Sequence, residues 1–229
     1  MKTLVIYVLH EMTPLVDKFF KSSIFEDSEV QFLVVCNNIS LQLNLPSYVE
    51  VIKRKNIGHD FGAWSQGLLT HKDYDYYICV NSSVDGPYCN NKWTDIYING
   101  LNDNVKLFGS TINCCTGQWT KQFPYWSGPH VQSYIFSMNK ETLEYLSSEG
   151  IFSLTNYISD KIQVVFLKEI LMSKKILDKG WNIGCLLQQY KDVDFKINNV
   201  KWLDDVMLPQ YCNVLWKKTD LVFIKGNRI

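Results

Sequence analysis

A turn rich in polar residues separates two apolar runs early in the chain, in the stretch RKNIGHDFGAW at residues 54–64. Gly58 and Gly62 permit a close backbone approach, and the helix predicted to follow has an N-terminus that favours an anion. Asn56 and Asp60 could form hydrogen bonds with ribose hydroxyls or with a base. Alternatively, Asn56 simply ends a strand and Asp60 caps the helix. The stretch has neither a GxGxxG fingerprint nor the lysine and serine of a P-loop.

A second candidate site follows the apolar run YICV, where the chain has the sequence NSSVDGPY. Enzymes that use sugar nucleotides commonly have Asp-x-Asp at such a position, because two carboxylates hold a divalent ion against the diphosphate. This chain has Asn81 and Ser83 in those places, with Asp85 two residues later. Neutral oxygens bind a hard cation more weakly than carboxylates do. The alternative is an Asx or Ser turn that closes the strand.

A single carboxylate, Glu169, lies in the middle of a predicted helix between the apolar residues Leu167 and Ile170. A mid-helix carboxylate in such surroundings could be half-buried, as a catalytic base or nucleophile requires. Periodicity alone favours the alternative, in which Glu169 faces solvent beside Lys168 or Ser173.

An aromatic loop precedes His130, which itself follows a Gly-Pro pair. Its aromatic residues suit the apolar faces of sugar rings, although they would equally suit plain core packing; they are Trp119, Tyr125 and Trp126. The chain has no HExxH, no GxSxG and no zinc-type spacing of cysteine and histidine, which disfavours hydrolase and zinc-site interpretations.

These candidate residues are separated by patterns that predict an α/β fold with a mostly parallel central sheet flanked by helices. The β-rich runs are residues 3–9, 30–36, 49–55 and 74–81, and helical patterns occupy residues 13–21 and 60–71. Ligands of such sheets bind beyond the carboxyl ends of the strands. We therefore expect His10, residues 54–60 and residues 81–85 to lie on one rim.

The second half of the chain has a less regular pattern. Its predicted strands are residues 104–112, 131–138 and the terminal segment 220–229, and its predicted helices begin at the N-caps Asn139 and Ser159 and end at Gly150 and Gly180. Internal repeats, linkers and low-complexity segments are absent from the sequence.

Composition restricts the possible partners. The 229 residues carry no net charge, so the overall charge gives no reason to expect nucleic acid or an anionic membrane as a partner. No apolar run is long enough to predict a transmembrane segment. The odd number of cysteines without CxxC spacing, several of them in apolar runs such as Cys36, Cys79 and Cys185, predicts a reducing, cytoplasmic location. Arg54 and Arg228 are the only arginines, and a guanidinium fork suits phosphate.

Four stretches together resemble the rhamnan-synthesis-type glycosyltransferases, a group that includes domains from giant algal viruses that glycosylate capsid protein. In order, they are NIGHDFGAW, YYICVNSSVDGPY, HVQSYIFSMNKETL with KEILMSKKILDKGWNI, and DLVFIKGNR. The resemblance implies a GT-A-like nucleotide-diphospho-sugar transferase fold in a single domain, residues 1–229. Residues 1–100 would then be the nucleotide-binding half and residues 101–229 the acceptor and catalytic half.

The resemblance also implies roles for particular residues. The donor would be bound by His10, Arg54, Asn56, Asp60, Asn81, Lys225 and Arg228, with the terminal basic pair neutralising the diphosphate leaving group. Glu169 matches the family glutamate and would face the reacting sugar. The acceptor or sugar would lie near His130, Ser133 and Trp126.

Two departures from the family pattern concern metal binding. The Asp-x-Asp position holds Asn81 and Ser83, and the terminal proline, glutamate and preceding histidine appear as Lys218, Asp220 and Lys217. We therefore expect a divalent cation, Mn²⁺ or Mg²⁺, to bind weakly through Ser83 and Asp85, with the donor diphosphate supplying much of the ligation.

Together these features predict a glycosyltransferase that moves a sugar from a nucleoside-diphosphate donor, with UDP-sugars favoured, to a saccharide or glycoprotein acceptor. Glu169 would deprotonate the acceptor hydroxyl if the reaction inverts, or stabilise an oxocarbenium-like centre if it retains configuration. The alternative is a non-catalytic carbohydrate- or nucleotide-binding module on a degenerate GT-A fold. A more distant alternative is a nucleotidyltransferase, which would release pyrophosphate. The predicted cytoplasmic location would be the cytoplasm of the host cell if the protein is viral.

Overall fold

The computed structural model describes residues 1–90, 92–114, 128–197 and 216–226. Its strands are β1 (Thr3–Leu9), β2 (Val30–Cys36), β3 (Glu50–Lys53), β4 (Tyr76–Asn81), β5 (Val84–Asp85), β6 (Val105–Gly109), β7 (Ile112–Asn113), β8 (His130–Val131), β9 (Ile135–Asn139), β10 (Asn182–Cys185) and β11 (Ile224–Lys225). Its helices are α1 (Pro14–Ser22), α2 (His59–Thr70), α3 (Trp93–Asn99), α4 (Lys140–Ser148), α5 (Lys161–Val164), a π-helical segment (Val165–Ile170), α6 (Leu171–Asp178), a short 3-10 turn (Gln188–Tyr190) and α7 (Lys218–Leu221).

The helices begin where the sequence provides caps. Thr13 accepts a hydrogen bond from the Val16 amide of α1, and Pro14 occupies the first turn, where its missing N–H costs nothing. Asn139 accepts one from the Thr142 amide at the start of α4, as predicted. The long helix, which we define as α5, the π-helical segment and α6, has Asp160 rather than Ser159 as its N-cap. Asp160 Oδ1 accepts a hydrogen bond from the Gln163 amide at 2.8 Å, and this bond determines where the helix begins.

Seven strands of the described residues form one sheet in the order β10-β6-β9-β4-β1-β2-β3. All are parallel except β9, which runs antiparallel to both β4 and β6. The predicted α/β, GT-A-like fold with a mostly parallel sheet is therefore confirmed. Because β9 runs the other way, its first residues lie at the same rim as the carboxyl ends of the parallel strands.

Side chains alternate between two hydrophobic layers because successive residues of a strand point to opposite faces. Leu4, Ile6 and Val8 of β1 pack into the layer that contains Trp64 and Leu68 of α2, together with buried residues of α4 and α6. Val5, Tyr7 and Leu9 pack into the other layer, with Phe19 of α1 and residues of α3. A sheet buried on both faces can place functional groups only at its ends, which is the arrangement predicted for the rim.

Beyond β5, the chain departs from its predicted elements in five places. The strand predicted at residues 104–112 ends at Gly109, and the one predicted at 131–138 divides into β8 and β9. The sequence patterns did not identify α3 or β10. The terminal segment predicted as a strand forms α7 first, and only Ile224 and Lys225 pair with β5 in the described residues.

No helix among the described residues is long and apolar enough to cross a membrane.

The central sheet contains strands from both halves of the chain. The division into a nucleotide-binding half and an acceptor half stays a prediction.

Candidate active site

The turn between β3 and α2 is shaped by two glycines. Gly58 has φ of 76°, a left-handed conformation that favours glycine. Gly62 lies so close to the Ile57 carbonyl that a Cβ would come within 2.1 Å of its oxygen. His59 also has a positive φ, 52°, and is held by a 2.8 Å contact between its Nε2 and the Ser159 carbonyl oxygen. The glycines let the start of α2 fold tightly onto the turn.

Arg54 lies inside this turn, where its guanidinium donates to protein acceptors. Nη1 donates to Asn37 Oδ1 at 2.6 Å, Nη2 to the Ile57 carbonyl at 2.8 Å, and Nε to Gln66 Oε1 at 3.1 Å. These bonds tie β2, the turn and α2 together. In this arrangement Arg54 positions the turn, and its predicted contact with the donor stays a prediction.

Asn37 is a residue of the rim that the sequence patterns did not single out. It follows β2 directly, is 3% exposed, and its Nδ2 donates to the His59 carbonyl at 3.2 Å. Its own carbonyl oxygen lies 3.0 Å from His10 Nδ1. Asn37 thus connects the ends of β1, β2 and β3. A polar residue immediately after a buried parallel strand was the available signal.

Asp60 and Asn81 meet at the ends of α2 and β4. Asn81 Nδ2 donates to Asp60 Oδ2 at 3.3 Å, and Asn81 Oδ1 accepts from the Ser83 amide at 3.0 Å and from Ser83 Oγ at 2.6 Å. The Asx turn considered from sequence is therefore present, and Asn81 still reaches Asp60. The N-cap of α2 is Gly58 and the helix has no side-chain cap, so the alternative role of Asp60 as a cap was wrong.

Burial raises the pKa of the Asp60 carboxyl above its usual range. The hydrogen bond from Asn81 and the charges of His59 and Lys161 lower this pKa, while the charge of Glu169 raises it further. Asp60 is therefore a carboxyl with little water around it, within electrostatic reach of a second carboxylate. Asp60 and Glu169 approach the rim from α2 and the long helix respectively.

Glu169 lies in the π-helical segment and contacts the turn between β8 and β9. Its Oε2 accepts from the Ser133 amide at 3.3 Å and from Ser133 Oγ, and its Oε1 lies 3.7 Å from His130 Nε2. The side chain is 18% exposed, so the alternative of a solvent-facing glutamate paired with Lys168 or Ser173 was wrong. π-helical turns occur frequently at functional sites. The predicted residues His130, Ser133 and Glu169 therefore come together.

The turn that contains Ser133 and Tyr134 joins this group to Asn81, which contacts Asp60. The carbonyl of Tyr134, the next residue, accepts a hydrogen bond from the Asn81 amide at 3.0 Å. We call the set Asp60, Asn81, His130, Ser133 and Glu169 the cleft cluster. It combines carboxylates, an imidazole, an amide and a hydroxyl at the edge of the sheet where ligands of this fold class bind.

Asp85 lies beside the cleft cluster with different partners. Its Oδ1 accepts from Lys18 Nζ at 2.5 Å and its Oδ2 from the Tyr88 hydroxyl at 2.6 Å. Burial by itself would raise the pKa of Asp85, but the hydrogen bonds from Lys18 and Tyr88 and the charges of Lys18 and Lys218 together lower it. Asp85 is therefore a paired carboxylate at neutral pH.

Lys225 lies on β11, which pairs with β5 so that Ile224 is opposite Asp85 and Lys225 is opposite Val84. The approach to β11 is a tight turn: Val222 has φ of 60° and ψ of −54°, and the Phe223 amide donates to the Leu221 carbonyl at 2.6 Å. Such a conformation is rare for a β-branched residue. The buried Ser110 hydroxyl fixes it by donating to the same Leu221 carbonyl at 2.9 Å.

Three further residues were predicted from the sequence to belong to the site. Asn56 is exposed in the turn before α2. Trp126 and Arg228 lie outside the described residues. Their predicted roles, like the donor and acceptor roles of the cleft cluster, stay predictions.

The predicted cation does not fit the donors as the described residues arrange them. Ser83 Oγ donates to Asn81, and both oxygens of Asp85 accept from Lys18 and Tyr88. Within the described part of the chain, no three His, Cys, Asp or Glu side chains are grouped as an ion would require. A bound Mn²⁺ or Mg²⁺ at Asp85 would have to compete with an ammonium group.

Comparison with known proteins gives a family. The model of the family described as RgpF, rhamnan synthesis protein F, matches residues 33–227. No curated protein matches the chain. Among solved structures, CMP:2-keto-3-deoxy-manno-octonic acid synthetase complexed with CTP is similar with a TM-score of 0.47 and 11% sequence identity, covering 80% of this chain and 88% of that one. Similarity at that level has no bearing on activity.

The family match contains the cleft cluster, Asp85 and Lys225, and it begins after His10 and Lys18. It also covers far more than half of the 229 residues. The chain therefore belongs to the rhamnan synthesis protein F family.

Proposed function

We propose that the protein is a glycosyltransferase that moves a sugar from a nucleoside-diphosphate donor to a saccharide or glycoprotein acceptor. The observation that carries the proposal is the placement of Glu169, whose carboxylate is oriented by Ser133 at the rim of the sheet beside Asp60 and Asn81. Membership of a family named for the synthesis of rhamnan, a glycan, supports the same class of substrate.

The donor side of the proposed site is the turn between β3 and α2. Asp60 and Asn81 would meet the ribose or base, and the exposed Asn56 would add a further hydrogen bond. Their hydrogen-bonding groups suit hydroxyls and imide nitrogens, and the UDP-sugars favoured from the sequence are the first donors to test. Arg54 and Asn37 hold this turn in place from behind. His10, fixed against Asn37, closes the side next to β1.

The acceptor side is formed by Glu169 with Ser133 and His130. Ser133 donates two hydrogen bonds to Oε2, which fixes the carboxylate as a triad orients its base. Oε1 then takes the proton from the acceptor hydroxyl as that oxygen attacks the anomeric carbon and the bond to the diphosphate breaks. His130 lies within 3.7 Å of Oε1 and would orient the acceptor or the sugar. Trp126 would stack on a sugar ring.

The leaving diphosphate gains negative charge as its bond to the sugar breaks, so cations must lie near it. Lys225, on β11 beside β5, and Arg228 are proposed for this role. Charge at this position stabilises the transition state more than the ground state, which is the condition for raising the rate.

A non-catalytic binding module remains the second candidate, because Asn81 and Ser83 replace the carboxylates usual at this position. The two candidates differ in the presence of a positioned base. A binding module has no use for a carboxylate that is held by two donors from Ser133 and shielded from solvent.

The experiment that tests the proposal is incubation with a panel of nucleotide sugars, with and without simple saccharide acceptors, followed by mass spectrometry of the products. We expect one donor to release nucleoside diphosphate, quickly with an acceptor and slowly to water without one. Release of pyrophosphate would indicate a nucleotidyltransferase instead. Binding of a donor without any release would favour the binding module.

A further inference from the structure

Lys18 is a cation beside the proposed site for which the family match, beginning at residue 33, assigns no role. It lies on α1, and its Nζ is 2.5 Å from Asp85 Oδ1. Its side chain is 44% exposed, so the ammonium group contacts Asp85 on one side and solvent on another. An ammonium has three N–H donors, and one of them is used by Asp85.

A second ammonium group, that of Lys218, lies near the same aromatic ring as Lys18. Lys18 Nζ is 4.9 Å and Lys218 Nζ 5.3 Å from the centroid of Tyr88, whose hydroxyl donates to Asp85. We call Lys18, Asp85, Tyr88 and Lys218 the lysine cluster. It holds two positive charges and one negative charge, which leaves an excess of positive charge suited to an anion.

The lysine cluster adjoins the cleft cluster through Ser83. Ser83 Oγ bonds to Asn81, and the Ser83 carbonyl accepts from the Gly226 amide at 2.8 Å. Gly226 packs so closely that a Cβ would come within 2.9 Å of Leu15 on α1 and 3.1 Å of the Asp85 Cβ. The N-terminal half of α1, β5 and the end of β11 therefore meet at one place, next to Lys225.

Both members of the central ion pair are charged at neutral pH. The hydrogen bond to Asp85 raises the pKa of Lys18, and Lys18 in turn helps to lower the pKa of Asp85. The neighbouring ammonium groups would repel a divalent cation and so weaken its net attraction to the Asp85 carboxylate. The carboxylate predicted to hold a divalent cation, Asp85, is thus already paired with an ammonium group.

We propose that Lys18 and Lys218 bind the diphosphate of the donor, so that ammonium groups take the place of a divalent cation at Asp85. This inference rests on the proposed function, because it identifies how the same site meets the nucleoside diphosphate. Asp85 then holds Lys18 in position and is itself no metal ligand. Diphosphate binding should therefore persist when divalent ions are removed.

The experiment is calorimetric titration with UDP, GDP, CDP and TDP in excess EDTA and in Mn²⁺, followed by variants titrated with the diphosphate that binds most tightly. The wild-type dissociation constant should agree within about threefold between the two buffers. Lys18→Ala should weaken binding by roughly tenfold to a hundredfold, the usual effect of losing a charge-assisted hydrogen bond. Lys21→Ala is the matched control, because Lys21 lies on the same helix and pairs with Asp17 at 2.7 Å.

Asp85→Asn separates the possible roles of the ion pair. The asparagine keeps an oxygen that can accept from Lys18 and hold it in position, while the competing negative charge is removed; if Lys18 binds the diphosphate, binding should therefore be as tight or tighter. If the pair merely attaches α1 to β5, Asp85→Asn and Lys18→Ala should weaken binding alike, which would overturn the inference. Thermal unfolding of each variant shows whether a loss reflects misfolding, and Lys18→Arg should then retain binding.

Three results would overturn the inference. They are binding that requires Mn²⁺, binding unaffected by Lys18→Ala, and equal losses in the Lys18 and Asp85 variants. The first two leave the proposed function intact, because a nucleoside diphosphate still binds. Failure of every diphosphate to bind the wild-type protein, in either buffer, would contradict the proposed function as well.

Discussion

Lys168 and Glu169 are neighbours on one helix, and both carry a charge away from bulk solvent, yet their surroundings differ. Lys168 is 5% exposed, and its Nζ donates to the Gly150 carbonyl at 2.6 Å and the Ile151 carbonyl at 2.8 Å. Glu169 points to the rim, where its partners are Ser133 and His130. The two side chains leave the helix in different directions because consecutive helical residues are about 100° apart.

Lys168 and Glu169 differ in the kind of group that binds each charge. The carbonyls bound by Lys168 lie just past the end of α4, where a helix leaves carbonyl groups without intrahelical partners. Burial lowers the pKa of Lys168. Its ammonium group donates to two backbone carbonyls, which indicates a structural role. Glu169 is held at the rim of the sheet by the Ser133 hydroxyl and amide and lies near His130. We therefore expect Lys168 to contribute to stability and Glu169 to contribute to the proposed chemistry.

The largest effect should come from Glu169→Gln, which keeps the shape of the side chain and removes its basicity. Turnover at saturating donor should fall about 100-fold or more, the usual contribution of a positioned acid–base group. Donor affinity and thermal stability should change little. Glu144→Gln, an exposed position on α4, is the control. Turnover equal to wild type would mean that Glu169 has no catalytic role, and Asp60 and Asp85 would be the next candidates.

Lys168→Met should show the reverse pattern. It leaves two buried carbonyls without a donor, so the free energy of unfolding should fall by roughly 2–4 kcal/mol. Donor affinity and turnover of the folded variant should remain near wild type. Lys174→Met removes only an exposed ion pair with Asp178 and should cost less than about 1 kcal/mol. Urea denaturation of both variants measures the difference, and equal losses would contradict the structural role of Lys168.

Asp60→Ala tests the donor side of the cleft cluster. Loss of its hydrogen bonds should weaken nucleoside-diphosphate binding by about 1–3 kcal/mol, with little effect on the rate once the donor is saturating. Calorimetric titration gives the affinity, and Asp17→Ala on the exposed side of α1 serves as the control. Unchanged affinity in a folded Asp60 variant would remove Asp60 from the donor site.

The smallest effect should be a dependence of stability on pH that comes from Asp60. Its pKa in the folded protein is above the ordinary value of 3.8, so as pH rises past that value the unfolded chain loses the proton first. Ionisation therefore favours the unfolded state until the pKa of the folded state is passed. The free energy of unfolding of the wild type, minus that of Asp60→Asn, should fall as pH rises from 3 towards neutrality. A difference that is flat or rises would contradict a raised pKa.

Much of the fold could be predicted because its signals are local. β1 and β2 are continuous apolar runs with the predicted bounds, and Asn139 and Gly150 mark α4 at both ends. The position of the candidate residues on one rim could be predicted because the carboxyl ends of parallel strands lie at the same edge of a sheet. The division of residues 131–138 into two strands was not predictable, because β8 pairs with β7, which is nearly twenty residues away in sequence.

The site was predictable in residue type but not in contacts. Glu169 was selected as a carboxylate among apolar neighbours, yet its contact with Ser133 depends on the π-helical turn, which has no local sequence pattern. Asn37 was missed because an asparagine after a strand is common. Its role in linking the strand ends depends on its hydrogen bond with Arg54, which the sequence does not show. Lys18 was missed for a similar reason: its partner Asp85 is 67 residues away.

Azide rescue of Glu169→Ala tests the central claim, that Glu169 removes the acceptor proton, most directly. Azide is an anionic nucleophile with no proton to lose, so it can attack the anomeric carbon without a base and release nucleoside diphosphate. We expect azide to restore donor consumption by Glu169→Ala, with glycosyl azide as the product, and to leave the wild-type rate unchanged. Failure of azide to accelerate a folded, donor-binding Glu169→Ala variant would contradict the assignment of Glu169 as the base.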